Sequence, residues 1–119
     1  MKRLYDISLE DWQDTSWWAP ADQRGARVTA GQAGHEHEIV VNFDFWYTDR
    51  FIPRIVEEFV QQEVPETWKV ESRGTRLEVH PSGRYAGGWC EDDVKELKII
   101  LDDLGFQTTT VIYEDIKYG

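Results

Sequence analysis

The sequence predicts an α+β domain in which two helices cover one face of an antiparallel sheet. Three observations predict it. The first is the stretch HEHEIVVNFDFWY, residues 35–47, where Ile39, Val41, Phe43, Phe45 and Tyr47 alternate with Val40, Asn42, Asp44 and Trp46. Period-two alternation of β-branched and aromatic residues marks a strand, and its wholly apolar face places it in the middle of a sheet. The second is a pair of stripes with apolar residues three and four apart, at 50–62 and 91–104, the pattern of amphipathic helices. The third is a pair of short alternating segments, 67–71 and 76–80, separated by Ser72-Arg73-Gly74-Thr75, which reads as a hairpin.

Taken in order, residues 1–34 read as an N-terminal extension and 35–119 as the domain proper. Leu9 to Trp12 starts a short helix, and Asp14 to Gly25 reads as a loop around Pro20. Trp12, Trp17 and Trp18 can each bury on the order of 200 Å², so the extension is expected to pack on the domain, with the mixed face of the sheet, Val40 and Trp46 on it, as a candidate dock that a partner could use instead. Ala26 to Ala30, followed by the turn Gly31-Gln32-Ala33-Gly34, reads as a small hairpin leading into the long strand.

Thr48-Asp49 offers a cap to the first helix, whose stripe is Ile52, Ile55, Val56, Phe59 and Val60. Pro53 falls in its first turn, where a missing N–H costs little, and Val64-Pro65 ends it. Trp68 and Val70, then Leu77 and Val79, are the inward residues of the hairpin. The glycine-containing loop 81–88 leads to the second helix, with Val94, Leu97, Ile100, Leu101 and Leu104 inward and Glu91, Asp92 and Asp93 in the first turn, where the helix dipole favours acids. Gly105 is expected to stop this helix in the left-handed conformation, with Phe106 folding back toward Leu101. A threonine-rich strand follows, from Gln107 to about Glu114.

The order strand, helix, strand, strand, helix, strand over residues 35–114 resembles the ferredoxin-like α/β plait, the split βαβ arrangement. That resemblance implies an antiparallel four-stranded sheet of order 4132, the long strand central and both helices on one face. A plait of this kind implies no function by itself. RNA-recognition plaits stack bases on aromatics of the central strands, whereas this open face offers Trp46 alone, beside Asp44, Glu71 and Glu78. Acylphosphatases carry an arginine-bearing phosphate loop after the first strand, and none is present.

A chain of 119 residues is one domain, large enough to bury a core without staples. The formal net charge is −10, of which −1 falls on residues 1–34 and −9 on the remainder. A nucleic-acid or anionic-membrane binder shows the opposite sign on its working face, so neither partner is expected. One cysteine, Cys90, excludes an internal disulfide. The start MKRLYDISLEDW carries charge where the apolar core of a signal peptide would lie, so a cytoplasmic location is expected.

No motif commits to a reaction, so no catalytic residue, enzyme activity or cofactor is expected. His35 and His37 project to one side of a strand at a spacing that suits a metal, and His80 lies on the neighbouring strand. Parity places His37 with Ile39 and Val41, and His80 opposite Leu77 and Val79, so His35, His37 and His80 are weak metal candidates and no metal is predicted. Cys90 precedes a helix, but the three acids after it oppose thiolate formation. Loop 82–88 lacks the spacing of a phosphate cradle.

The acids carry the functional expectation. Asp92, Glu96, Asp102 and Asp103 on the second helix and Glu57 and Glu58 on the first are the nominated partner-binding residues, with Tyr85 and Trp89 as apolar anchors. Asp102 and Asp103 oppose the helix dipole at about 0.3–1 kcal/mol each, a local cost of the kind a binding surface carries. The expected function is an acidic protein-binding module that engages and inhibits a basic protein partner. In size and charge it is similar to toxin antidotes, immunity proteins, and phage-encoded viral anti-defence or anti-CRISPR proteins that imitate nucleic-acid charge. The alternative is a ligand- or metal-binding regulatory plait.

Overall fold

The computed structural model describes residues 10, 12, 24–32, 34, 35, 37–43, 51–81 and 88–113. The elements are β1 (Gly25–Ala30), β2 (Ile39–Phe43), α1 (Phe51–Glu63), β3 (Lys69–Arg73), β4 (Arg76–His80), α2 (Glu91–Asp103) and β5 (Gln107–Ile112). They form an α+β fold with one five-stranded mixed sheet of order β3-β4-β2-β1-β5.

The expected four-stranded antiparallel order 4132 is therefore not what forms. The difference is a single insertion. β1 pairs antiparallel with β2, Val28 opposite Val41, on the side away from β4. β5 then pairs with β1, parallel, Val28 beside Thr110. A short hairpin loop obliges β1 to lie next to β2, and that occupies the position a plait would give to β5. With β1 taken out, the remaining order is the expected one.

Two expected boundaries also move. Residues 35, 37 and 38 are not strand, because the chain reverses at Gly31 and Gly34, both at positive φ (77° and 87°), and the N–H of His35 donates to the carbonyl of Gln32 at 2.8 Å. Residues 44–47 of the expected strand lie outside the described residues. The β3–β4 turn is shorter than expected: Arg73 already faces Arg76, leaving Gly74 (φ 63°) and Thr75 as the two linking residues.

The registers place Ala26, Val28 and Ala30, Ile39, Val41 and Phe43, Leu77 and Val79, and Val70 on one face. All are buried in the core cluster with Val56, Phe59 and Val60 of α1 and Val94, Leu97 and Leu101 of α2. Each such aliphatic side chain is worth about 1.5–3 kcal/mol when fully removed from water. Trp12 joins this cluster. It is fully buried, its ring 5.9 Å from Phe59 and 6.1 Å from Phe106. Trp12 therefore docks on the helical side of the sheet, not on the mixed face. Trp17 and Trp18 lie outside the described residues.

Helix α2 begins and ends by local chemistry. The N–H of Cys90 donates to Asp93 Oδ2 at 3.0 Å, half of a capping box, with Asp93 itself buried. At the other end the N–H of Phe106 donates to the Leu101 carbonyl and that of Gly105 (φ 99°) to Asp102, a Schellman motif with Phe106 folded back as expected.

Candidate functional site

Helix α2 has an outer face that follows from its period. Asp92, Glu96, Ile99 and Asp103 recur at spacings of four, three and four, one above another on a 3.6-residue helix. Asp92 and Asp103 are exposed and Glu96 is half-buried. Ile99 stands among them 60% exposed, the most exposed large apolar side chain among the described residues. Over residues 91–103 six acids stand against two lysines.

The remaining nominees divide. Lys98 Nζ donates to Asp102 Oδ2 at 2.6 Å. Burial alone raises the Asp102 carboxyl, but the hydrogen bond from Lys98 opposes it and the group is held below its ordinary value. Glu57 is engaged within the fold, because its Oε1 accepts the N–H of Ser72 at 2.6 Å. Four residues on, Gln61 Oε1 accepts the N–H of Val70 at 2.9 Å while its amide donates to the Trp68 carbonyl at 2.8 Å. Four residues of helix rise about 6 Å and two of strand about 6.6 Å, so Glu57 and Gln61 match alternate amides of edge strand β3. Glu58 is half-buried beside them on α1.

Trp89 does not serve as a surface anchor. It is 1% exposed, and its ring lies 3.1 Å from where a Cβ on Gly31 would stand. A large apolar ring in the link between loop and helix closes the end of the core instead. Tyr85 lies outside the described residues. Ile99 was not anticipated as the anchor, although one signal for it existed: it falls off the stripe of Val94, Leu97, Ile100, Leu101 and Leu104, an apolar residue among acids.

The opposite face of the sheet holds a second arrangement. Glu78, 6% exposed, accepts Arg73 Nε at 2.8 Å and Arg76 Nη2 at 2.9 Å. Glu71, opposite it on β3, pairs with Lys69 at 2.9 Å and Arg73 at 3.3 Å. The Lys69 ammonium holds the Glu71 carboxyl below its ordinary value against the opposing effect of desolvation, and Glu78, then Glu71, raise the Arg73 guanidinium. Next to this network Glu38 receives two histidines. His35 Nδ1 bonds its Oε1, and His80 Nδ1 lies 3.8 Å from its Oε2, while His80 Nε2 lies 3.8 Å from Glu71 Oε2. His37 is exposed. Cys90 is half-buried at its cap.

Among the described residues no helix is long and apolar enough to cross a membrane. No protein-family model matches the chain, and no curated protein or solved structure is significantly similar to it.

Proposed function

We propose that the chain is an acidic, non-catalytic protein-binding module of the cytoplasm that engages a basic protein partner through the outer face of α2 and inhibits it. The observation that carries this is Ile99, exposed at the centre of the stripe formed by Asp92, Glu96 and Asp103. An interface needs an apolar anchor that gives up its water and a charged surround that sets encounter rate and specificity. The two occur together on this helix. The acids of that stripe are Asp92, Glu96 and Asp103, and the partner supplies lysines or arginines around an apolar socket. Their field reaches about 8–10 Å at physiological salt, so it acts on approach as well as on contact.

The test separates anchor from field. A basic protein retained by the wild-type chain should be lost by Ile99→Lys through faster dissociation. It should bind the Asp92→Lys, Glu96→Lys, Asp103→Lys triple variant with a slower on-rate and less sensitivity to salt. The partner's own activity should fall when the wild-type chain is added. A partner that binds both variants as it binds the wild type would place its contact elsewhere.

A further inference from the structure

The sheet ends in two edge strands, β3 and β5, and the chain closes only one of them. Along β3 the outward N–H groups of Val70 and Ser72 are taken by Gln61 and Glu57 of α1. Lys69, Glu71 and Arg73 add charge to that strand, a common guard against pairing with another chain. β5 has neither device. The N–H groups of Gln107 and Tyr113 donate to the carbonyls of Arg24 and Ala30 at 2.7 and 2.9 Å, so by alternation residues 107, 109, 111 and 113 turn their main-chain groups toward β1. The main-chain N–H and carbonyl groups of Thr110 and Ile112 point the other way, out of the sheet, and no hydrogen bond reaches them among the described residues. The strand QTTTVI contains no charge, no proline and no break in register, and Thr109, Thr110 and Val111 are exposed.

We propose that this edge receives an extended, basic segment of the partner protein, which adds to the sheet as a strand beside β5. The proposal rests on the reading of the chain as a module for a basic protein, and it names the form in which part of that protein binds. Charge decides the occupant. A second copy would bring another net charge of −10, and another acidic α2, to the same edge, and like charges placed together suppress association. A basic segment meets the opposite sign. Thr110 lies beside Val28 of the core face, so it and Ile112 share the helical side, while Thr109 and Val111 alternate to the open side. On the helical side α2 packs against β5, with six acids against two lysines. On the open side Val111 is 39% exposed, and Tyr113, which follows at the same parity, is 47% exposed. The segment that fits therefore alternates lysine or arginine with β-branched residues. Its main chain supplies the bonds that Thr110 and Ile112 lack, and its alternate side chains supply the specificity.

The test uses an end-blocked peptide, Val-Lys-Val-Arg-Val-Lys-Val, and its counterpart with glutamate at every basic position. Binding to the full chain is followed by calorimetry, and the chain's amide hydrogen exchange by NMR. In the free chain the amides of Thr110 and Ile112 should exchange fast and those of Thr109 and Val111 slowly. The basic peptide should slow Thr110 and Ile112 by about tenfold or more, and the acidic peptide should not. Thr110→Pro removes an N–H that β1 does not use, a change that edge strands tolerate, so it should abolish peptide binding and leave the urea midpoint near that of the wild type. No binding of the basic peptide, equal binding of both peptides, or binding that survives Thr110→Pro overturns the proposal. Protection of Thr110 and Ile112 in the free chain also overturns it, and protection that grows with protein concentration assigns the edge to a second copy. Should Thr110→Pro not fold, the wild-type exchange decides alone. The two readings fail separately. A basic protein that binds Thr110→Pro as it binds the wild type refutes the added strand and leaves the α2 face standing, whereas one lost by Thr110→Pro and indifferent to Ile99→Lys does the reverse.

Discussion

The indole N–H of Trp12 donates to the main-chain carbonyl of Leu104 at 2.9 Å, a bond between residues 92 apart in the chain. Leu104 is the C-cap of α2, and carbonyls at a helix end have no partner within the helix. A side chain from the N-terminal extension thus completes the end of the second helix while its ring fills the space between Phe59 and Phe106.

Trp12→Ala should therefore cost about 3–5 kcal/mol, as a fully buried large aromatic. Trp12→Phe keeps much of the packing and loses the donor, so it should cost about 1–2 kcal/mol. Urea unfolding of the two variants checks this. A Trp12→Ala chain with the wild-type midpoint would show that the extension contributes nothing to the fold.

Phe43 and Asn42 test which face of β2 carries the core. Phe43 is buried with its ring 5.1 Å from Phe106, whereas Asn42 is half-buried on the other face. Phe43→Ala should cost about 3–5 kcal/mol and Asn42→Ala under about 1 kcal/mol. Equal losses in thermal unfolding would reverse the assignment of faces.

Gly31 and Gly34 share a left-handed backbone but not their surroundings. A Cβ at Gly31 would lie 2.7 Å from the Tyr113 carbonyl, while at Gly34 nothing lies within 4 Å. Gly34→Ala should cost only the conformational penalty, about 1–2 kcal/mol. Gly31→Ala must in addition push apart the β1–β5 pairing where Tyr113 N–H meets the Ala30 carbonyl, so its chemical midpoint should fall further. A smaller loss at Gly31 than at Gly34 would refute the close approach.

Asp102 links stability to pH. Its carboxyl is held below its ordinary value in the folded chain, the hydrogen bond from Lys98 prevailing over burial, so the folded state holds the ionised form more tightly than the unfolded state does. The resulting stabilisation is complete above the unfolded-state value and disappears as pH falls through the lower folded one. Asp102→Asn should flatten the acid limb of a plot of urea midpoint against pH and leave the neutral region little changed, since the group is partly exposed. An acid limb of unchanged slope would remove Asp102 as a contributor.

Much of the frame was legible because local chemistry decides it. Residues 76–80 form a strand because Leu77 and Val79 alternate with polar neighbours, and α2 stops where Gly105 permits it. The hairpin of β1 with the long strand was legible from the turn Gly31 to Gly34, but the place of β1 between β2 and β5 was not, because alternation reports that a segment is a strand without naming the neighbour on its other edge. Of the candidate surface, the acids of α2 were visible by their spacing. The pairing of Asp102 with Lys98 was legible from their i, i+4 spacing, whereas the internal work of Glu57 was not, because it depends on which backbone amides another element leaves unpaired. The contacts of Glu38 with His35 and His80 were not legible either, because they depend on the turn before β2 and on the strand beside it.

The insertion of β1 also sets an order of assembly. β5 finds its hydrogen-bonding partner in a strand about 80 residues earlier, Gly25 beside Gln107, and contacts of such long sequence separation form late and slowly. During synthesis β1, β2, α1, β3 and β4 can emerge and pair while β1 still presents an open edge. That edge is closed only when Gln107–Ile112 leaves the ribosome. A nascent chain stalled before this point carries an unpaired inner strand, Gly25–Ala30, and is the species most exposed to misassociation.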